Sequence, residues 1–378
     1  MTRIGLLTSS FPSRPGDPAG GFVHEHARWL RDQGFEVEVL AARPGSAGRE
    51  PGLKVTRLPF GRRIFGGQGA PEILAAGRAW PHALAVSVSM LAEAVRRRRH
   101  WDRIIAHWLV PAGLAAAVAA DGRPVRAIAH SGDVHLLRRL GLVSVAAAAL
   151  VQAKARISFV TEHLREIFLR EVGPAGLRRR VAGVAEVTPM GVDIARFQCA
   201  GEREPGGDRP VAFLGRLVPI KGADVAIAAA SRWRAPASLA IAGAGPDAGL
   251  LRAQAATLAP GRVVLCGEVR GNQRDRFVAA AAALIVPSRQ LDDGRTEGLP
   301  VVALEAMAAG VPVIASAVGG LEELPPDTRR CVPPNDPHAL AAAVDRLLDD
   351  RPGRDRQVAA AAAFVRSRDW RAVGPRLI

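Results

Sequence analysis

Residues Phe213 to Gly222 read F-L-G-R-L-V-P-I-K-G, and the order of residue types in this stretch sets the fold class. A short apolar run of strand type, Val211 to Leu214, stops at Gly215. Arg216 and a brief loop follow, and Lys221-Gly222 opens an alanine-rich helical stretch. Strand, tight polar turn and helix in that order form the unit from which mostly parallel sheets are built. Glycine admits close backbone approach, and a guanidinium and an ammonium beside a helix N-terminus suit a diphosphate. By spacing alone, two solvated surface cations at a strand exit fit equally well. Lysine is scarce, however: Lys54, Lys154 and Lys221 are the only lysines among 51 basic residues, which favours a specific use for Lys221.

Outward from this stretch the same alternation covers the chain. In the first half, strand-like runs fall at Arg3–Thr8, Phe35–Leu40, Leu53–Leu58, Arg103–His107, Val125–His130 and Arg156–Val160, most of them separated by helical Ala/Leu/Arg-rich segments. A polar Gly/Pro-rich stretch, Cys199 to Pro210, reads as a linker, and the pattern restarts with strands at Val211–Leu214, Ser238–Ala242, Arg262–Leu265, Ala283–Val286 and Val311–Ala315. The expected fold is α/β, with two doubly wound Rossmann-like domains facing across a cleft. They span 1–198 (N-terminal) and 199–353 (C-terminal), with a helical tail, 354–378, able to pack back on the N-terminal domain. A length of 378 residues is too great for one ordinary core, and 48% hydrophobic residues exclude a disordered or fibrous chain. Open parallel sheets bind ligands at the carboxyl ends of their strands, so the strand exits are where polar chemistry matters.

Two further stretches carry such chemistry. Thr296 to Ala309 reads T-E-G-L-P-V-V-A-L-E-A-M-A-A; Pro300 suits a first helical turn and Gly310 a helix end, leaving Glu297 in the preceding loop and Glu305 inside an apolar helix. A carboxylate among Val, Ala, Leu and Met must be paired, hydrogen-bonded or exposed at a cleft, and sugar or ribose hydroxyls would satisfy it. The plainer reading is a glutamate on the one exposed stripe of a core helix. Ser238 to Pro246, S-L-A-I-A-G-A-G-P, runs a strand into Gly243-x-Gly245. The next glycine is Gly249, so no G-x-G-x-x-G fingerprint is completed.

In this order the pieces resemble the retaining glycosyltransferases of family 4, of the bacterial cell-surface polysaccharide and glycolipid type, which have the GT-B fold. The matching features are G-R-x4-K-G at Gly215 to Gly222, A-G-x-G-P at Ala242 to Pro246, Glu-x7-Glu at Glu297 to Glu305 and the following G-V-P-V-I-A-S. Thr188 to Phe197 is similar to that family's interdomain segment. In the first half the likeness extends to G-G-F-V-H-E-H-A-R-W from Gly20, A-H-W-L-V-P-A-G-L from Ala106 and A-H-S-G-D-V-H-L-L from Ala129.

The resemblance implies transfer of a sugar from a nucleotide diphosphate sugar, with retention at the anomeric carbon, no metal and no cofactor beyond that co-substrate. Arg216 and Lys221 would neutralise the diphosphate, with Gly215, Gly243 and Gly245 allowing its approach. Glu305 would accept hydrogen bonds from the ribose. Glu297, with the amides of Gly298 and Leu299, would hold the donor sugar, and His130 would face that sugar. Catalysis would then rest on Glu297, Arg216, Lys221 and His130. Gly20 and Gly21 would let a loop approach the phosphates or the acceptor, and His107 with Trp108 either lines the acceptor side or packs in the core. The acceptor would be a cell-envelope or exopolysaccharide carbohydrate, including a lipid-linked one.

Charge bears on the partners. The net charge is +15, with 28 basic against 16 acidic side chains in residues 1–200 and 23 against 20 in 201–378. Arg96-Arg97-Arg98-Arg99-His100-Trp101, ending a long helix, and Phe60-Gly61-Arg62-Arg63-Ile64-Phe65 suit an anionic membrane face, although basic residues at a helix C-terminus are also simply solvated. With 4% aromatics, no tyrosine and no recognition motif, specific nucleic-acid binding is not expected. His24 and His26 around Glu25, and His130 and His135 around Asp133, are too scattered over helix faces for a metal site. Cys199, Cys266 and Cys331 form no framework, and the N-terminus reads as a strand. Both fit a cytoplasmic protein, peripheral on the inner face of the membrane if the basic half docks there. The alternatives are a nucleotide-sugar epimerase of the same architecture and a non-catalytic polyanion-binding protein.

Overall fold

The computed structural model describes residues 1–14, 16–42, 44–45, 52–61, 64, 79–199 and 209–378. Arg62, Arg63 and Phe65 of the second basic loop, and positions 200–208 of the expected linker, lie outside the described residues.

The chain forms two compact units, Met1–Gly191 with Val373–Ile378, and Val192–Ala372. The division falls at Gly191/Val192, before the expected 198/199, because Val192 and Phe197 are fully buried in the second unit's core beside Val278, Leu304 and Val365. The helix Arg351–Arg366 also belongs there. Its Ala361 and Val365 face that core, and Gln357 Nε2 donates to the Val313 carbonyl at 2.8 Å. Of the tail expected at 354–378, only Val373–Ile378 joins the first unit: Arg376 donates to the Val187 carbonyl at 2.9 Å and Arg126 to the Ile378 carbonyl oxygen at 3.4 Å.

In the first unit seven strands, β1 (Arg3–Thr8), β2 (Glu36–Ala41), β3 (Leu53–Arg57), β4 (Arg103–His107), β5 (Val125–Ala129), β6 (Arg156–Phe159) and β7 (Ala185–Val187), form a sheet in the order β3-β2-β1-β4-β5-β6-β7. All pairings are parallel. Helices cover both faces of such a sheet, so its strands are buried on both sides and read as unbroken apolar runs. β5 is buried along its whole length, and β1 from Ile4 onward.

The second unit repeats the design with β8 (Val211–Leu214), β9 (Leu239–Ala242), β10 (Val263–Gly267), β11 (Ala283–Val286), β12 (Val313–Ser316) and β13 (Arg329–Val332), ordered β10-β9-β8-β11-β12-β13 and again parallel. In each sheet the order reverses beside the first strand, between β1 and β4 and between β8 and β11. Loops on either side of that reversal diverge and leave a crevice at the strand carboxyl ends. Among the described residues no single helix is long and apolar enough to cross a membrane.

Candidate active site

In the second unit the chemistry gathers at the β8/β11 reversal. β8 delivers Gly215, half-buried, and Arg216, exposed; a single 3-10 turn, Pro219–Lys221, then leads into the helix Ala223–Ala230. The loop after β9 folds over this turn. Gly243, at φ +148°, lies so close to the Gly215 carbonyl that a Cβ there would stand 1.8 Å from its oxygen, and Gly245 abuts the Leu217 carbonyl in the same way at 2.1 Å. These glycines therefore pack two phosphate-loop candidates against each other, a structural role that spacing alone did not reveal.

β11 delivers a long loop that ends at Glu297, Gly298 and Leu299 before the helix Val301–Ala308. Its path is tied to the first loop twice. The Arg289 backbone N–H donates to the Ile220 carbonyl at 3.0 Å, and the Arg289 guanidinium pairs with Asp224. The result is a direct contact between two of the expected site residues: Lys221 Nζ donates to Glu297 Oε2 at 2.7 Å, with side chains 19% and 15% exposed. Gly320, beyond β12, supports the Glu297 backbone by donating to its carbonyl at 3.3 Å. An ammonium, a carboxylate and an exposed guanidinium at the exits of two neighbouring strands can hold an anion and hydroxyl groups together.

Glu305 is buried, and its partner is a side chain that sequence reasoning missed. Arg274, on the helix Gly271–Ala279, pairs with Glu305 Oε2 and lies 3.8 Å from Asp275, which in turn takes a bidentate pair from Arg196 at 2.7 Å on each oxygen. The buried glutamate is thus satisfied within the protein, not solely by a ligand's hydroxyl groups. Burial disfavours the Arg274 charge, but Glu305 outweighs it and holds the guanidinium above its ordinary range. The signal for Arg274 was indirect: a carboxylate in an apolar helix demands a cation, but nothing in the sequence spacing says which of the second half's arginines supplies it.

In the first unit the β1 exit carries Gly20, at φ +73°, whose position against Ser10 leaves a Cβ only 2.4 Å from the Ser10 carbonyl oxygen. Gly21, the first residue of the helix Gly21–Asp32, has nothing within 4 Å of the equivalent position. The two glycines are therefore distinct: the fold requires the first and leaves the second open. His107 ends β4 fully buried, so of its two expected placements the structure shows the core. It nonetheless touches His130, half-buried just past β5, with Nδ1 and Nε2 3.0 Å apart. The rings of Phe22 and Trp108 flank His130 with centroids at 4.9 and 4.8 Å. Asp133, 3% exposed, clamps both strand exits by accepting the His130 N–H at 3.0 Å and the Leu109 N–H at 2.6 Å. Burial raises its carboxyl pKa against those backbone donors. His26 pairs with His107, its Nδ1 lying 3.0 Å from His107 Nε2. The basic run is partly consumed by structure, since Arg97 pairs with Glu38 and Glu93 and Arg98 with Asp121.

Comparison with known proteins gives this site a context. Residues 208–350 match the family described as glycosyl transferases group 1. A D-inositol 3-phosphate glycosyltransferase from Salinispora tropica is 30% identical over 98% of this chain and 82% of its own. A putative teichuronic acid biosynthesis glycosyltransferase, TuaC, from Bacillus subtilis is 26% identical over 91% and 88%. The solved structure of Anabaena HepE with UDP-glucose superposes with a TM-score of 0.73 at 19% identity, covering 100% of this chain and 98% of the other. The parallel sheets, the βα loops that meet at Lys221 and Glu297, and a 30% identical relative aligned over nearly the full length lead to one conclusion: the chain belongs to the group 1 glycosyltransferases and has their GT-B fold.

Proposed function

We propose that the enzyme transfers a sugar from a nucleotide diphosphate sugar, with retention and without a metal, to a cell-envelope or exopolysaccharide acceptor that is a carbohydrate or lipid-linked. The observation that carries this reading is the Lys221–Glu297 contact at the β8/β11 reversal, with Arg216 exposed in the loop that follows β8. In this reading Lys221 and Arg216 bind the diphosphate, and Glu297 with the Gly298 and Leu299 amides holds the sugar hydroxyls. Glu305, oriented by Arg274, receives the ribose through its second oxygen, and His130 is a reaction residue.

The chemistry follows from where charge develops. The bond between the anomeric carbon and the phosphate oxygen breaks, its electron pair goes to the departing diphosphate, and the sugar acquires oxocarbenium character. Two fixed cations at that diphosphate stabilise the transition state more than the ground state and supply the charge a metal would otherwise bring. The acceptor oxygen bonds to the same face of the sugar, and its proton passes to the departing phosphate oxygen. The relatives named for inositol phosphate and teichuronic acid, and the UDP-glucose complex, support the donor and acceptor classes.

A cytoplasmic enzyme docked on the inner membrane face is part of the proposal. The helix Trp80–Arg97 supports it by exposing Trp80, Leu84 and Val88 on one side and ending in arginines. Incubation with UDP-, GDP-, dTDP- and ADP-sugars tests the donor claim by slow hydrolysis or thermal stabilisation, and silence with all of them refutes it. A donor that is turned over to a free isomeric nucleotide sugar without an acceptor would instead indicate epimerisation. Flotation with anionic liposomes tests docking; no binding at low salt removes it.

A further inference from the structure

His26, His107 and His130 form an unbroken file through the first unit. His26 Nδ1 lies 3.0 Å from His107 Nε2, and His107 Nδ1 lies 3.0 Å from His130 Nε2. His26 projects from the helix Gly21–Asp32, His107 closes β4 and His130 follows β5, so three separate elements meet to build the file. His26 and His107 are completely buried, whereas His130 is half-buried. The file therefore runs from the interior to the sheet's carboxyl edge.

A neutral imidazole has one N–H and one lone pair, and this fixes how three of them can join. If His107 carries its proton on Nε2, it donates to His26 Nδ1 and must accept at Nδ1 from His130 Nε2–H. His130 then offers Nδ1 as an acceptor. If His107 carries its proton on Nδ1, it accepts from His26 Nδ1–H and donates to His130 Nε2, and His130 carries its own proton on Nδ1. Both hydrogen bonds exist only when all three rings share one tautomer. A mixed set sets donor against donor, or lone pair against lone pair, where no water competes.

We infer that His26 and His107 are positioning residues that tie the tautomer of His130 to their own, so that the nitrogen outside the file meets the substrate with the single hydrogen-bonding sense that the file as a whole adopts. The inference rests on the reading of His130 as a reaction residue. Proton uptake does not disturb the file, because burial first, and then Arg126, pushes His26 down to about 3, and burial followed by His26 does the same to His130. Burial, then His130 and His26, pushes His107 well below its ordinary value. The ring of His130 is also held in place by Phe22 and Trp108, and its backbone by Asp133. Fixed orientation and fixed tautomer together let it discriminate a hydroxyl offered as donor from one offered as acceptor.

The test is imidazole nitrogen NMR on the full chain labelled with nitrogen-15 histidine, together with hydrolysis of UDP-glucose or GDP-mannose, whichever the enzyme turns over. The three rings are expected to be neutral and of one tautomer at about pH 7. A protonated ring, or two different tautomers, overturns the file. His26→Leu is expected to leave His130 as a mixture of tautomers and to lower kcat about tenfold at unchanged KM, the factor for one ordinary hydrogen bond. His26→Asn, which returns a polar atom near Nδ1, is expected to recover most of the loss and the single tautomer. A His26→Leu enzyme with one His130 tautomer and undiminished kcat overturns the positioning role. Undiminished kcat in His130→Ala overturns the assignment of His130 itself, and that result is separable from the tautomer spectrum.

Discussion

Substituting Arg274 by Met tests how the candidate nucleotide site is held. The guanidinium pairs with Glu305, whose side chain is 5% exposed, and lies 3.8 Å from Asp275. Asp275 keeps its two bonds to Arg196 in the variant, so Glu305 alone is stranded. Breaking a buried ion pair by removing one partner costs ~3–5 kcal/mol. The lower end applies here, because Arg274 is itself 15% exposed and water can reach the vacated place. A loss of ~3 kcal/mol corresponds to a fall in Tm of ~6–12 °C for a unit of this size. Glu305→Leu leaves Arg274 beside Asp275 and should cost less, and the double variant should be about as stable as Glu305→Leu alone. The measurement is urea unfolding at neutral pH, with Trp233 and Trp370 reporting on the second unit, analysed as a double-mutant cycle. An Arg274→Met protein within ~0.5 kcal/mol of the parent, or a double variant whose losses simply add, would refute the reasoning.

Further outcomes follow from the same geometry. Lys221→Ala and Glu297→Gln should each lower sugar transfer by ~10²–10³ in kcat; steady-state kinetics decides it. The first unit should lose stability in acid. His26 and His130 sit at about 3 when folded and near ~6.5 when unfolded, so below that pH the unfolded chain binds more protons. His107 adds to the fall and Asp133, raised by burial, opposes it, giving a net loss of ~2–3 kcal/mol between pH 6 and 5 that a flat urea midpoint would contradict. Gly20→Ala should destabilise the first unit by at least ~1–2 kcal/mol, while Gly21→Ala should be neutral in melting; equal Tm values for the two would be the contrary result.

Most strands were legible because parallel strands buried on both faces leave branched apolar runs; the edge strands β3 and β10 are only partly buried but still carry such runs, so eleven strands coincide with the expected ones. β7 and β13 escaped notice for a physical reason. Both are edge strands, A-E-V is half-exposed throughout, and R-R-C-V opens with two arginines, so neither has a fully apolar face to betray it. In the site, Lys221 and Glu297 could be singled out because each is chemically conspicuous in its segment. Their contact could not, since it depends on how the Arg289 loop folds back on Ile220. Arg274 and His26 illustrate the same limit. Their importance comes from a buried partner that is distant in sequence, and a helix pattern records only that a residue faces inward, not what it meets there.

The return of Val373–Ile378 to the first unit changes what counts as a module. The chain leaves that unit after Gly191 and re-enters it at Val373, so the second unit, proposed above to bind the donor, is topologically an insertion closed at both ends. A recombinant exchange of donor specificity between relatives should therefore transplant 192–372 and leave the last six residues with their own host. A graft running to 378 would replace the contacts of Gly374 with Trp29 and of Arg376 with Val187 by those of a stranger, and its penalty would appear in the half that was meant to be untouched.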